Sequence, residues 1–378
     1  MNDIELDHMC IMLHKARSPE EVFGTLAGTQ SEMLNTARKI FRQMAKVAHP
    51  DAYLGTSSFD KAGSTFKQLI AFWEQAQARI EQGIYGTARA TETFEPLTIR
   101  AGTRHYTVER LLTQGDLCGL YMGSFIQAGK QTRGLFKIPL KPQDNDLVAN
   151  EARILAHLRA SDDYTKLRHF VSQLVDHFSY QEDETGVVRH VNVLSYMDGL
   201  YSLKEVKEAY REGVDPKDMA WIWRRLLVAL AFAHTNHVIH GAVLPTHVLI
   251  HPQQHGVVLI DWSYAVLHPA RTEERISAIS SAYLEWYPAE VFARKAPTPG
   301  LDIAMAARCM FDLLGGNPYM CTTSIHVPWQ IQSYLKACTL ALPSHRPQDA
   351  YTLLEEFDAL IERLWGPRTF REFTMPER

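Results

Sequence analysis

The stretch HGAVLPTHVLIHPQQHGVVLIDWS, His240 to Ser263, decides how this chain is read. A loop opening at His240 is followed by a short strand and then by a second loop at Asp261. Immediately upstream, SLKEVKEAYREG and PKDMAWIWRRLLVALAFAHTN carry the apolar spacing of helices. Further upstream come strand-like runs (YTVERLL, GLYMGSFI, GLFKIPL), one helix (DLVANEARILAHL), and strands around FVSQLVDHFSY and RHVNVLSYM. Strands followed by helices predict an α+β unit with two lobes.

The N-terminal part has a different texture. Leu34, Ala37, Phe41, Met44 and Ala48 recur at helical spacing, and so do Phe66, Leu69, Trp73, Ala76 and Ile80. Between them lie His49-Pro50-Asp51 and the connector AYLGTSS, so the two helices form a hairpin. Ser31 and Glu32 are expected to cap the first helix, and Gly83 and Gly86 to end the second. Over Met33–Ala48, Phe41, Ala37, Met44 and Ala48 share one face, while Arg38, Arg42 and Lys46 occupy the adjoining one. Residues 84–104 lack helical periodicity and read as a linker with one strand at Leu97–Arg100.

The bulk numbers exclude several classes. A chain of 378 residues, 46% hydrophobic and 22% charged with formal net charge −4, has the composition of a soluble globular protein with two or three cores. Its basic residues gather only on the short helix before His49, which predicts no nucleic-acid partner. The apolar run LLVALAFAH is too short to span a bilayer, so no membrane role is expected. The acidic start MNDIELDHMC differs from a secretory signal. The five cysteines (Cys10, Cys118, Cys309, Cys321, Cys338) have no CxxC spacing and read as thiols of a reducing compartment, which predicts the cytoplasm.

Two resemblances sharpen this reading. IFRQMAKVAHPD is similar to the end of helix II in the J-domain family. EEVFGTLAG and FKQLIAFWEQAQARI resemble that family's first and third helices, so the likeness covers roughly residues 18 to 85. It implies that His49, Pro50 and Asp51 engage a DnaK-type chaperone and stimulate its ATPase. Arg38, Arg42 and Lys46 would steer the chain to an acidic partner surface. Ala48 stands where the family commonly has an aromatic residue. The connector after Asp51 is short of basic residues, which implies low affinity or a specialised partner.

The region from about 97 to 366 resembles the protein-kinase fold, whose signatures include HRDLxxxxN and DFG. In place of the phosphate-covering GxGxxGxVY the chain reads TQGDLCGLY, which keeps Gly115. Lys137 in GLFKIPL takes the place of the phosphate-binding Lys, Glu151 in ANEARIL that of its helix partner, and SYMDGLYSL that of the hinge, with the Ser195–Met197 backbone set for an adenine ring. His240 is kept. Gly241, Ala242, Leu244 and His247 replace the loop's Arg, catalytic Asp, Lys and metal-binding Asn. Asp261 keeps the place of the magnesium-binding Asp, with Trp262 and Ser263 for Phe and Gly. Glu290 in YPAE, Asp302 and Arg346 resemble scaffold residues, with Glu290 and Arg346 as an ion pair. Ser277, Ser280, Ser281 and Tyr283 fall in the segment that other kinases phosphorylate.

Residues that hold a kinase fold are thus present, and residues that transfer phosphate are missing. The resemblance implies a pseudokinase: Lys137, Glu151 and Asp261 leave room for ATP, with magnesium on Asp261. The expected organisation is a J-like domain at 1–86, a linker at 87–104, kinase-like lobes at 105–198 and 199–366, and a tail at 367–378. The expected role is a co-chaperone whose second domain binds nucleotide or a client. An ATP-dependent phospho- or nucleotidyltransferase of unconventional kind is the alternative, with Asp302, Glu285 or His247 reassigned; a docking hairpin for some other partner is a third reading. His234, His237, His240, His247, His251 and His255 lack the Cys or acidic companions of a metal site.

Overall fold

The computed structural model describes residues 3–16, 18–26, 28–53, 56, 58, 59–81, 83, 85–86, 96–115, 117–182, 185–323 and 326–376. The chain divides into two compact units, 1–93 and 94–378. It mixes helix with antiparallel sheet, as an α+β fold requires. The linker expected at 87–104 lies outside the described residues from 87 to 95. From Leu97 onward the same stretch is built into the second unit's sheet, because Ile99 is buried in the sheet core.

The first unit is helical: α1 (Asp3–Lys15), α2 (Pro19–Phe23), α3 (Gln30–Ala48) and α4 (Phe59–Glu81). Ala37 of α3 meets Leu69, Ala76 and Ile80 of α4 in one core with Leu13, Val22 and Phe23. Trp73 locks it, stacking on Phe41 at 5.2 Å and taking Phe23 edge-on at 6.2 Å. Arg79 reaches Glu20 at 2.8 Å and ties α4 to α2. The N-cap of α3 is Thr29, not Ser31. Thr29 Oγ1 accepts the Glu32 amide, and the Glu32 carboxylate accepts the Thr29 amide at 2.7 Å, a reciprocal box that needs a spacing of three. Ser31 is two residues too close to Glu32 to make it. Helix α1 had no counterpart in the sequence reading; it forms because Leu6 and Leu13, two turns apart, bury on one side.

The second unit opens with β1 (Leu97–Ala101), β2 (Arg104–Gln114), β3 (Cys118–Gln127) and β4 (Lys130–Pro139), followed by α5 (Asn145–Arg159). A helical turn, α6 (Tyr164–Leu167), leads to β5 (Leu174–Gln181) and β6 (Val188–Ser195). The six strands form one antiparallel sheet ordered β1-β2-β3-β4-β6-β5. It curls until β2 meets β5: Arg104 pairs with Asp176 at 3.1 Å, and Tyr106 stacks on Phe178 at 5.1 Å. Gly123 is required by this packing, since a Cβ there would lie 2.2 Å from Thr107 O and 2.6 Å from the Phe136 ring. Tyr106, Val108, Phe136, Val191 and Val193 fill the inner face.

The remainder is mostly helical: β7 (Tyr201–Ser202), α7 (Leu203–Ala209), α8 (Pro216–Thr235) and β8 (Val238–Ile239), then β9 (Val248–His251), β10 (Gly256–Leu259) and β11 (Val266–Leu267). After these come α9 (Pro269–Thr272), α10 (Ala289–Phe292), α11 (Pro299–Leu313), α12 (Trp329–Cys338) and α13 (Ala350–Trp365). Trp223, Leu226, Phe232, Met310, Phe311 and Phe357 join one continuous core around α8 and α11. The opening stretch contains two strands rather than one: β9 and β10 pair antiparallel, with Gly256 opposite His251. Among the described residues no helix is long and apolar enough to cross a membrane.

Candidate functional site

Two places collect the residues singled out above. In the first unit, Ala48 is buried and closes α3, and His49 leaves the helix with extended backbone (φ −65°, ψ 126°), as a residue before proline does. Pro50 starts a single 3-10 turn, Pro50–Tyr53, whose Tyr53 hydroxyl donates back to Val47 O at 3.0 Å. The turn holds its polar groups outward, with His49 and Asp51 side chains 47% and 77% exposed. The Asp51 amide donates to His49 Nδ1 at 3.3 Å, and the ring rests edge-on against Phe66 at 5.0 Å. These two contacts hold the imidazole in place while about half of its side chain stays exposed. On the adjoining face, Arg38, Lys39, Arg42 and Lys46 line a depression of about 320 Å³ with Asn35 and Gln43. No carboxylate lines it, so the face presents positive potential.

In the second unit the fold draws together residues far apart in sequence. Lys137 on β4 is buried and donates to Asp261 Oδ1 at 2.7 Å and to Ser263 Oγ at 2.8 Å; Glu151 on α5 lies 3.1 Å away. Glu151, fully buried, also accepts from Asn192 Nδ2 (3.0 Å) and from the Trp262 amide (3.1 Å). Asn192 was missed by motif reading because no local pattern marks it, and Ser263 was placed by the motif only as a departure from Gly, not as a partner of Lys137. Burial opposes the charge on Lys137, but Asp261 and Glu151 outweigh it and hold its pKa well above the ordinary lysine range. Burial likewise opposes the charge on Asp261, and Lys137 with His247 keeps its carboxyl well below the usual range.

The loop after His240 is anchored from beneath. Asp302, fully buried on α11, accepts the His240 amide (2.7 Å), the Gly241 amide (2.8 Å) and His234 Nε2–H (3.0 Å). Glu290 and Arg346 form a buried ion pair whose longer contact is 3.3 Å. Ala242 is fully buried, and its carbonyl accepts from His247 Nδ1–H at 2.8 Å. His247 Nε2 then faces Asp261 Oδ2 at 3.4 Å. Gly241 has φ +76°, where a Cβ would meet Tyr264 O at 3.0 Å and Ile276 at 3.2 Å.

The nucleotide positions fare differently. The Gly115 amide closes the β2–β3 hairpin on Cys118 O at 2.9 Å, and Leu117 packs inward against the large helical core. The Ser195 amide is taken by Gln173 O at 2.9 Å. Asp261 is a single carboxylate flanked by an ammonium and an imidazole. Among the described residues no group of three or more His, Cys, Asp or Glu could hold a metal. Magnesium is usually bound by one or two carboxylates together with waters and substrate phosphates, so Asp261 would hold it only alongside a bound nucleotide. Of the candidate modification sites, Ser277 is exposed and Ser280 buried, while the Ser281 side chain lies outside the described residues.

His240 supplies a pH dependence. Its Nδ1 accepts the Ala242 amide (3.3 Å) and its Nε2–H donates to Ile260 O (3.0 Å), so the buried ring is neutral. Burial pushes its pKa down to about 4, with Asp302 opposing in part. The unfolded ring takes up its proton near pH 6.5 and the folded ring does not. Stability is therefore lost as pH falls through that window, by about 3 kcal/mol at pH 4. Urea midpoints at pH 7, 5.5 and 4.5 should show this slope in the native chain and a shallower one in His240→Asn. Equal slopes would reject the assignment.

No family model matches the chain. Over 201 residues it is 24% identical to serine/threonine-protein kinase pak-1 of Caenorhabditis elegans, an alignment covering 47% of this chain and 33% of that protein. The chain thus spans about a third of that relative's length. This weak likeness supports a kinase-like region.

Proposed function

We propose that the chain is a J-domain co-chaperone that recruits and stimulates a DnaK-type chaperone, with its kinase-like unit serving as a client-binding or nucleotide-binding scaffold. The observation that carries this reading is the outward His49-Pro50-Asp51 turn at the end of a helix whose neighbouring face is lined only by basic and amide side chains. An imidazole and a carboxylate fixed on a rigid turn suit contact with a partner. The cationic depression suits capture of an acidic surface, with an on-rate that falls as salt rises. The kinase-like unit favours a binding role because the loop at Ala242 holds no exposed carboxylate to accept a proton.

A transferase of unconventional kind is the second reading, favoured by the assembled Lys137, Glu151 and Asp261. The test is single-turnover ATP hydrolysis by a DnaK-type chaperone with the native chain and with His49→Gln. Stimulation at least about tenfold weaker in the variant is expected, the effect of losing one or two strong hydrogen bonds. Equal rates with and without the chain would remove the co-chaperone reading. Label passing from ATP to protein, and lost with Asp261→Ala, would install the second.

A further inference from the structure

The second unit holds another concavity, of about 540 Å³, and none of its lining residues belongs to the Lys137 cluster. Arg104 from β2, Arg159 at the end of α5 and Arg168 beyond α6 all line it, with Tyr164, Gln173 and Ser195. Every charged residue in the lining is thus an arginine. Arg104 is partly neutralised by Asp176 at 3.1 Å, whose carboxylate also accepts the Tyr106 hydroxyl. Among the described residues no ion pair involves Arg159 or Arg168. Scattered surface arginines point into water and need no explanation. Three that converge on one hollow from three separate segments repel one another unless an anion joins them.

We infer that this hollow binds a small molecule carrying a phosphate group. Its volume lies in the range of small-ligand sites. Three guanidinium forks match a dianion with three peripheral oxygens better than a carboxylate with two. Residues of β3 and β5 supply an apolar wall for the rest of the ligand. The C-terminal end of α5 opposes an anion, but that effect is weaker than one charge-assisted hydrogen bond. Because α5 also carries Glu151, a ligand held between Arg159 and the start of β5 would brace this helix against the sheet. The inference stands apart from the co-chaperone reading and uses no residue of the His49 turn, the basic face of α3 or the Lys137 cluster.

The test is isothermal titration of the full chain with phenyl phosphate at two salt concentrations. Saturable one-to-one binding is expected, weakened about tenfold for each of Arg159→Gln and Arg168→Gln. Both side chains are exposed, so the variants should keep the native circular dichroism and melting temperature. Arg42→Gln/Lys46→Gln, which dismantles the other basic depression, should bind as the native chain does. Absence of saturation up to about 10 mM phenyl phosphate would overturn the inference. So would native affinity in the Arg159→Gln/Arg168→Gln double variant. Equal binding of benzoate would reject phosphate as the recognised group, and binding of a phosphotyrosine peptide without phenyl phosphate would reject the small molecule.

Discussion

Replacing Asp302 by alanine is expected to destabilise the second unit by about 3–5 kcal/mol, a large share of the roughly 5–15 kcal/mol by which folded domains are stable. Asp302 is fully buried and accepts from the backbone amides of His240 and Gly241 and from the imidazole N–H of His234 at the end of α8. Alanine leaves these donors in a dry interior, and each unsatisfied group costs about 1–3 kcal/mol. Asp302→Asn keeps one acceptor oxygen and should lose roughly half as much. Six of the seven tryptophans lie after residue 94, so the urea transition followed by fluorescence reports this unit. A midpoint for Asp302→Ala equivalent to a loss below about 1 kcal/mol would show that the loop does not hang on this carboxylate.

Lys137→Met should cost about 3 kcal/mol, whether or not the protein handles nucleotide. The methylene stem is nearly matched, so packing changes little. What is lost is the only ammonium facing Glu151 and Asp261 among the described ion pairs, and a buried carboxylate without its cation is expensive. Glu151 retains the Asn192 and Trp262 donors, which holds the loss to the lower end of the range. The decisive measurement is a double-mutant cycle. Lys137→Met/Glu151→Gln should regain about 1–2 kcal/mol relative to Lys137→Met alone. Additive losses would mean that the two groups do not interact through charge.

Much of this arrangement was legible in sequence, and what was not has a common cause. Periodicity placed α3, α4, α5 and α8, because each buries one stripe and amphipathic spacing survives in the letters. Motif order led to Lys137, Glu151 and Asp261, which the fold then brings within 3.1 Å. Asn192 completes that cluster from a position with no local signature, since hydrogen-bond partners across a sheet obey no period. Arg104, Arg159 and Arg168 were invisible for the same reason: only the curl of the sheet and the turn after α5 set them around one hollow. The N-cap at Thr29 was within reach, as the spacing of three to Glu32 was on the page. Leu6 and Leu13 likewise announce α1 once their interval is counted.

The geometry at Gly241 and Ala242 also bears on which substitutions this loop tolerates. Here a side chain at 241 would be forced into φ +76° against Tyr264 and Ile276, and a carboxylate at 242 would enter a fully buried position. Each of these substitutions alone is expected to be harmful, and only a concerted change of loop and neighbours would be tolerated. The backbone therefore acts as a ratchet: exposed positions of the unit are free to vary, while this loop resists gaining a side chain at 241 or a carboxylate at 242 one step at a time.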